Sequence, residues 1–188
     1  MNNRLLRYFI FFTTSLMSSC AASNYVSQIK QAELPRLGLQ YNIQEVEIID
    51  SRSDQKTEDI KLPVLSKPNS LIKHIPALTV SHKEVLEKVI RENTTASGES
   101  VKAIIDISES YKEFSSTWSS EKEKSFAQLK VSFIKKETGQ LIKGCDTSGE
   151  LFVQSADATN ERMEELYKLT LKNVLYNCLN SMSIQEKK

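Results

Sequence analysis

Apolar residues recur along this chain with two different periods, and the change from one to the other marks out its elements. Over 44–50, Val46 and Ile48 alternate with Glu45 and Glu47, the period-two pattern of a half-buried strand. Residues 55–80 carry Pro63, Pro68 and Pro76 between two short apolar pieces, 62–65 and 71–80. Proline demotes such pieces to edge strands or extended connections. The motif Ser81-His82-Lys83-Glu84 reads as a capping box. Val85, Leu86, Val89 and Ile90 follow it at helical spacing, with Glu84, Lys88, Arg91 and Glu92 opposite, and the helix should end near Thr95, before Gly98.

The clearest alternation comes next. Val101, Ala103, Ile105 and Ile107 share one parity, which Tyr111 continues, and Ala127, Leu129, Val131 and Phe133 form a second run. Gln128, Lys130 and Ser132 stand between the latter, so one face of the sheet should meet water. The two runs predict a long antiparallel hairpin whose distal end is KEFSSTWSSEKEK, residues 112–124. Glu137-Thr138-Gly139-Gln140 predicts a tighter turn into a strand through Leu141, Ile142 and Cys145, with a short continuation over 151–153. Finally Met163, Leu166, Thr170, Val174, Cys178 and Met182 form one helical stripe over 160–182, widened by Tyr167, Leu171 and Leu175. Glu161, Glu164 and Glu165 lie in its first turns, where the helix dipole favours negative charge. The fold class predicted is α+β: an antiparallel sheet with a long hairpin, packed against a capped helix and a long C-terminal helix.

The first twenty residues, MNNRLLRYFIFFTTSLMSSC, follow neither period. Arg4 and Arg7 precede a run that is apolar from Tyr8 to Met17 apart from Thr13, Thr14 and Ser15, and small Ser18 and Ser19 lead into Cys20. This is the layout of a secretory signal, shorter than the ~20 apolar residues of a spanning helix. Leu16-Met17-Ser18-Ser19-Cys20 resembles the lipobox of bacterial lipoproteins, with Met17 where that family prefers Leu or Val. The resemblance implies that Cys20 is the lipid-bearing first residue of the mature chain, anchoring it to a membrane. The alternative is an ordinary cysteine after a cleaved signal. Ala21 follows Cys20 where Asp marks inner-membrane retention in proteobacterial lipoproteins, so the resemblance implies an outer-membrane anchor facing the periplasm. Residues 20–40, with Pro35 and Gly38 and no clear period, read as a lipidated tether. The organisation expected is a signal peptide at 1–19, the tether at 20–40 and a single periplasmic α+β domain at 41–188.

Charge narrows the partners. Without residues 1–19 the chain has 23 Lys and Arg against 24 Asp and Glu, whereas a nucleic-acid binder usually shows a basic excess. No nucleic-acid partner is expected. If Cys20 carries lipid, Cys145 and Cys178 remain. An even remainder in an oxidising compartment favours a disulfide, and the alternative is two reduced, buried thiols behaving as small apolar residues.

Candidate chemistry is sparse. His74 sits in a proline-flanked connection and His82 at a helix start, with no H-E-x-x-H and no C-x-x-C, so no zinc ligand set stands out. The nucleophile-elbow pattern G-x-S-x-G is missing, as are glycine-rich phosphate loops. The cluster Asp50-Ser51-Arg52-Ser53-Asp54 lacks the length, central glycine and closing glutamate of a calcium loop and reads as a solvated turn. No catalytic residue, metal or cofactor is expected. Phe114 and Trp118 at the hairpin tip have two readings: rings folded onto the sheet as core, or an anchor for an envelope protein, glycan or lipid.

The order of elements, together with the Asp50-Ser51-Arg52 turn, the Lys83-Glu84-Val85-Leu86-Glu87-Lys88 helix and the paired strands before the last helix, resembles the YajG-type family of small bacterial outer-membrane lipoproteins. The resemblance covers most of 44–182 and implies an α+β periplasmic domain without established catalytic residues. The Cys145/Cys178 pair departs from that pattern. A similar strand and helix order occurs in lipopolysaccharide-assembly lipoproteins of the LptE type and in auxiliary lipoproteins of lipid-transporting ABC systems. The function expected is a lipid-anchored, non-catalytic binding or scaffolding module of the cell envelope. The alternatives are an accessory subunit of a lipid or lipopolysaccharide transport complex and, third, a hydrolase.

Overall fold

The structure, a computed structural model, describes residues 34–56, 60–62, 69–155 and 157–186. The signal segment, Cys20 and the tether up to residue 33 lie outside the described residues. Elements follow as β1 (Leu39–Asp50), β2 (Leu71–His74), α1 (Val80–Asn93), β3 (Thr94–Ser116), β4 (Glu121–Lys135), β5 (Leu141–Ser155) and α2 (Asn160–Glu186). They build a five-stranded sheet in the order β1-β3-β4-β5, with β2 also paired to β3.

The α+β class and the long β3–β4 hairpin are as the alternation predicts. The pairing is antiparallel from β2 through β3 and β4 to β5, whereas β1 runs parallel to β3. The sheet is therefore mixed, because α1 serves as the crossover that returns the chain in the direction of β1. β1 pairs with β3 as far as Ile107 and β2 pairs with Lys112 to Ser115, so the two share one edge of the 23-residue strand β3. Gly98, at φ +114°, lies where β1 and β3 run close: a Cβ there would collide with the Gln40 carbonyl.

Both helices lie on one face of the sheet. Leu86, Val89 and Ile90 of α1 and Tyr167, Leu171, Leu175 and Leu179 of α2 pack on Val101, Ile105, Leu129, Val131 and Phe133. Each such aliphatic or aromatic side chain, fully buried, contributes about 1.5–3 kcal/mol. Thr170 keeps its place on the apolar stripe by donating its hydroxyl to the Leu166 carbonyl (2.8 Å).

Four expectations are corrected. The first concerns Tyr111. A register shift between Ile107 and Glu109 inserts a bulge that reverses the strand's parity. Ser110, Lys112 and Phe114 then face the helices, while Tyr111 turns to the open face and stacks on Phe126 (centroids 5.2 Å apart). The second is the helix cap. Thr79, not Ser81, closes the box: its hydroxyl accepts from the His82 amide (3.3 Å) and His82 Nδ1 accepts from the Thr79 amide (3.1 Å). An imidazole nitrogen here does the work expected of a glutamate. The third is the start of the domain. Leu34 and Leu37, read as tether, pack on the core, and Leu39 is buried. The Tyr176 hydroxyl donates to the Pro35 carbonyl (2.8 Å) and the Leu37 amide to Asn93 Oδ1 (3.2 Å). The fourth is the turn at Arg52, described with the site below.

Cys145 on β5 and Cys178 on α2 are joined by a disulfide, with Cα atoms 5.6 Å apart. It staples the outer strand to the helix that covers it.

Candidate functional site

Beneath α2, charged and polar side chains form a chain of contacts through the helix–sheet interface. It begins where β1 ends. Arg52 donates from Nε and Nη2 to the two Asp50 oxygens, both at 2.6 Å. From Nη1 it reaches Ser110 Oγ (2.9 Å) and the Tyr167 hydroxyl (3.2 Å), which are themselves 2.7 Å apart. Arg52 is only 7% exposed. Ser51, Ser53 and Asp54 are exposed, as expected of a solvated turn, but Arg52 departs from it to make a buried fork between β1, β3 and α2. A planar guanidinium fits this role, since it holds a carboxylate with two parallel bonds and has donors left over.

One strand position further, the chain of contacts becomes ionic. Lys112 Nζ bonds Glu164 Oε2 (2.8 Å) and His82 Nε2 lies 2.7 Å from Glu164 Oε1. His82 Nδ1 is already an acceptor from the Thr79 amide, so the ring proton sits on Nε2 and is donated to Glu164. The same ring meets Tyr167 edge-on at 5.0 Å. The bulge in β3 places Ser110 and Lys112 here, and the α1 cap orients His82.

These contacts set the charge states. The hydrogen bond from His82, joined by the bond and charge of Lys112, holds the Glu164 carboxyl far below the usual carboxylate range against the opposing effect of burial. Burial works against the Arg52 charge, and its bonds to Asp50 and Tyr167 outweigh that cost, leaving it raised. Burial pushes the Tyr167 phenol up, so it stays neutral. A carboxylate so far depressed is a poor general base at neutral pH.

A cavity of about 560 Å³ opens beside this group, lined among others by Lys56, His74, Thr79, His82, Lys112 and Glu164. Among the described residues, no three His, Cys, Asp or Glu side chains are grouped to hold a metal ion. A second buried pair lies at the start of α2, where Arg162 Nε donates to Glu123 Oε1 (2.7 Å) and Nη1 to Asp157 Oδ1 (3.1 Å). Burial pushes Glu123 up, with Arg162 opposing.

The two tip aromatics are separated. Phe114 is 0% exposed and packs with Ala158 and Met163, so of its two readings the core holds and the partner anchor does not. Trp118 is 86% exposed, on a turn held by the Thr117 amide donating to the Ser120 carbonyl (2.8 Å). On the open face, Lys73 lies 3.6 Å over the Tyr111 ring and Lys122 lies 4.4 Å over Phe152. Sequence reading overlooked Ser110 and Lys112 because their inward direction depends on the bulge, and it placed Tyr167 on the apolar stripe without its hydroxyl's contacts to Arg52 and Ser110. The Asp50-Ser51-Arg52 spacing was the one visible signal.

Fold and site together define a two-layer α+β domain: a mixed five-stranded sheet with two helices on one face, tied by a buried polar clamp. No family model matches the chain, and no curated protein does. Among solved structures it is similar to a Xanthomonas campestris protein described under family DUF330, with 12% identity over 84% of this chain and 91% of that one and a TM-score of 0.40. It is also similar to a minor lipoprotein from Acinetobacter baumannii, with 11% identity over 79% of this chain and 95% of that one and a TM-score of 0.38. At these identities and TM-scores the likeness carries no functional argument.

Proposed function

We propose that this chain is a lipid-anchored lipoprotein of the bacterial cell envelope that acts as a non-catalytic binding or scaffolding module. The observation that supports it is the Cys145–Cys178 disulfide. Such bonds persist in oxidising compartments, and this one leaves Cys20, at the end of the signal-like segment, as the third and odd cysteine of the chain. The clamp supports the non-catalytic part: Glu164 is engaged by His82 and Lys112, and its low basicity suits holding layers together better than moving protons. The Ala21 resemblance adds the outer membrane, with the domain facing the periplasm.

Radiolabelled palmitate should enter the wild-type chain and not Cys20→Ala, and globomycin should block processing. Membrane association and gel mobility that ignore both perturbations would sink the anchor. The module is tested by affinity purification from crosslinked envelopes, with Trp118→Ala in parallel. One dominant export partner would move the reading to an accessory subunit of a lipid or lipopolysaccharide transport complex. Partners unchanged by Trp118→Ala would remove the exposed tip as the binding element.

A further inference from the structure

The sheet ends on β5. This strand pairs with β4 along one side, and among the described residues no strand pairs with its other side. It runs 15 residues, Leu141–Ser155, without proline. Natural sheet edges are usually short, covered, or protected by proline and lysine, and Lys143 is the one lysine of β5. The opposite edge is better guarded: Arg91 Nη1 donates to the Ile43 carbonyl of β1 (3.4 Å) and Thr95 Oγ1 to the Leu39 carbonyl (3.3 Å). Leu129 and Val131 of β4 are fully buried, whereas their β5 partners Thr147 and Cys145 are only half-buried. A row of outward backbone N–H and C=O groups is satisfied along its length by another extended strand.

The register on β4 fixes where the β5 side chains point. Cys145, Thr147 and Leu151 lie opposite Val131, Leu129 and Ser125 and face the helices. Asp146, Ser148, Glu150 and Phe152 lie opposite Lys130, Gln128, Phe126 and Lys124 and face away. Leu141 joins this second set, because a register shift places it opposite Ile134 and leaves Ile142 as the extra residue. Two antiparallel copies of β5 about a two-fold axis normal to the sheet set each residue beside one of the same face, with one residue opposite its own mate at the axis. An axis at Asp146, Ser148 or Glu150 sets acid opposite acid, which is destabilising. Axes at Cys145 or Gly149 set Leu141 against Ser148 or Phe152 against Asp146, and axes nearer either end shorten the ladder. At Thr147 the matches are favourable: threonine meets threonine, Asp146 meets Ser148, Glu150 meets Gly144 and Leu141 meets Phe152. Leu141 and Phe152 are 59% and 47% exposed in the single chain. The two acids are already met on their own sheet, by Lys130 opposite Asp146 and by Lys124 at 3.9 Å from Glu150.

We infer that β5 pairs edge to edge with β5 of a second copy of this chain, with the two-fold axis at Thr147. Two five-stranded sheets then run on as one, with the helices of both copies on the same face. The self-complementary register commits this edge to a second copy rather than to a foreign strand. The inference goes beyond the proposed function and does not rest on the lipid anchor.

The test uses the full chain purified in detergent. Sedimentation equilibrium from about 1 to 100 µM should show a reversible dimer. Ser148 is exposed, so its substitution leaves the fold intact, as an unchanged circular dichroism melt verifies. S148D places a second acid opposite Asp146 at both symmetric positions and should weaken the dimer about fivefold, while S148K should strengthen it by a similar factor. The register is read by mixing L141C with F152C under mild oxidation. Across the axis these two positions lie about 5 Å apart, whereas each is about 34 Å from its own mate. A 141–152 bond between copies should therefore form in the mixture and in neither variant alone, with mass spectrometry separating it from any bond at Cys20. A chain that stays monomeric over the whole range would overturn the inference and leave the edge to a foreign strand. A dimer indifferent to both Ser148 substitutions, or a mixture without the 141–152 bond, would overturn it by placing the interface elsewhere. Neither readout depends on lipid at Cys20, so failure of the dimer and failure of the anchored module are told apart.

Discussion

Reducing the Cys145–Cys178 bond should destabilise the domain by an amount set mainly by the chain it closes. The two cysteines are 33 residues apart. In the chain-entropy treatment a loop of that length removes about 12.5 cal/mol/K from the unfolded ensemble, or about 3.7 kcal/mol at 25 °C. The bond joins the outer strand β5 to α2, two elements that must come apart on unfolding, so the full constraint acts on the unfolded chain. For a domain of this size each kcal/mol moves the melting temperature by about 2–4 °C, which predicts a fall of about 7–15 °C. The assay is far-UV circular dichroism, melting the oxidised protein with and without a phosphine reductant, beside Cys145→Ala/Cys178→Ala. The double variant should ignore reductant and melt near the reduced wild type. Melts of oxidised and reduced wild type that coincide within about 2 °C would refute the reasoning, as would a reductant effect in the double variant.

Four further outcomes follow from side chains described above. Phe114→Ala should cost about 3–5 kcal/mol in urea unfolding, and Trp118→Ala should stay within about 0.5 kcal/mol; equal effects would contradict the separation of the two rings. Arg52→Met should cost about 3–5 kcal/mol because Asp50 loses its partner, with partial recovery in Asp50→Leu/Arg52→Met; a single variant as stable as wild type would deny the fork any structural role. Glu164 has a folded-state pKa depressed below its ordinary 4.5, so its stabilising effect is full above that value and is lost as pH falls below it. Stability of Glu164→Gln should therefore vary less with pH below about 4.5, as read from urea midpoints across that range, and parallel pH curves would count against the clamp. Gly98→Ala should cost about 3 kcal/mol or more, since backbone strain adds to the collision with Gln40. At Gly139, whose φ is also positive but whose Cβ would meet open space, alanine should cost about 1 kcal/mol; reversed rank in thermal melts would contradict the strand geometry.

How much of this was legible beforehand depended on how local each feature is. Alternation at 101–107 and 127–133 and the stripe over 163–182 read out correctly because period and burial are properties of a single element. The same applies to the water-facing side of β4. Parity beyond Ile107 was not legible. One extra residue in β3 reverses every later side chain, and only the pairing with β4 reveals it. That bulge converts Phe114 into core, Tyr111 into surface and Lys112 into the partner of Glu164. The helix cap was misplaced by two residues because His82 looks like a poor capping partner until its ring is oriented by Glu164, 82 positions away.

The sequence by itself determined an α+β chain and the strands and helices of its two layers, since each is written in residues near one another. Only the tertiary structure decided that β1 joins in parallel, that Cys178 reaches Cys145, and that Arg52 is buried rather than solvated. Each of these depends on which distant segment arrives alongside. Arg52 carries the same charge and reach in any turn. It becomes a buried fork only because β3 brings Ser110, and α2 brings Tyr167, within hydrogen-bond distance.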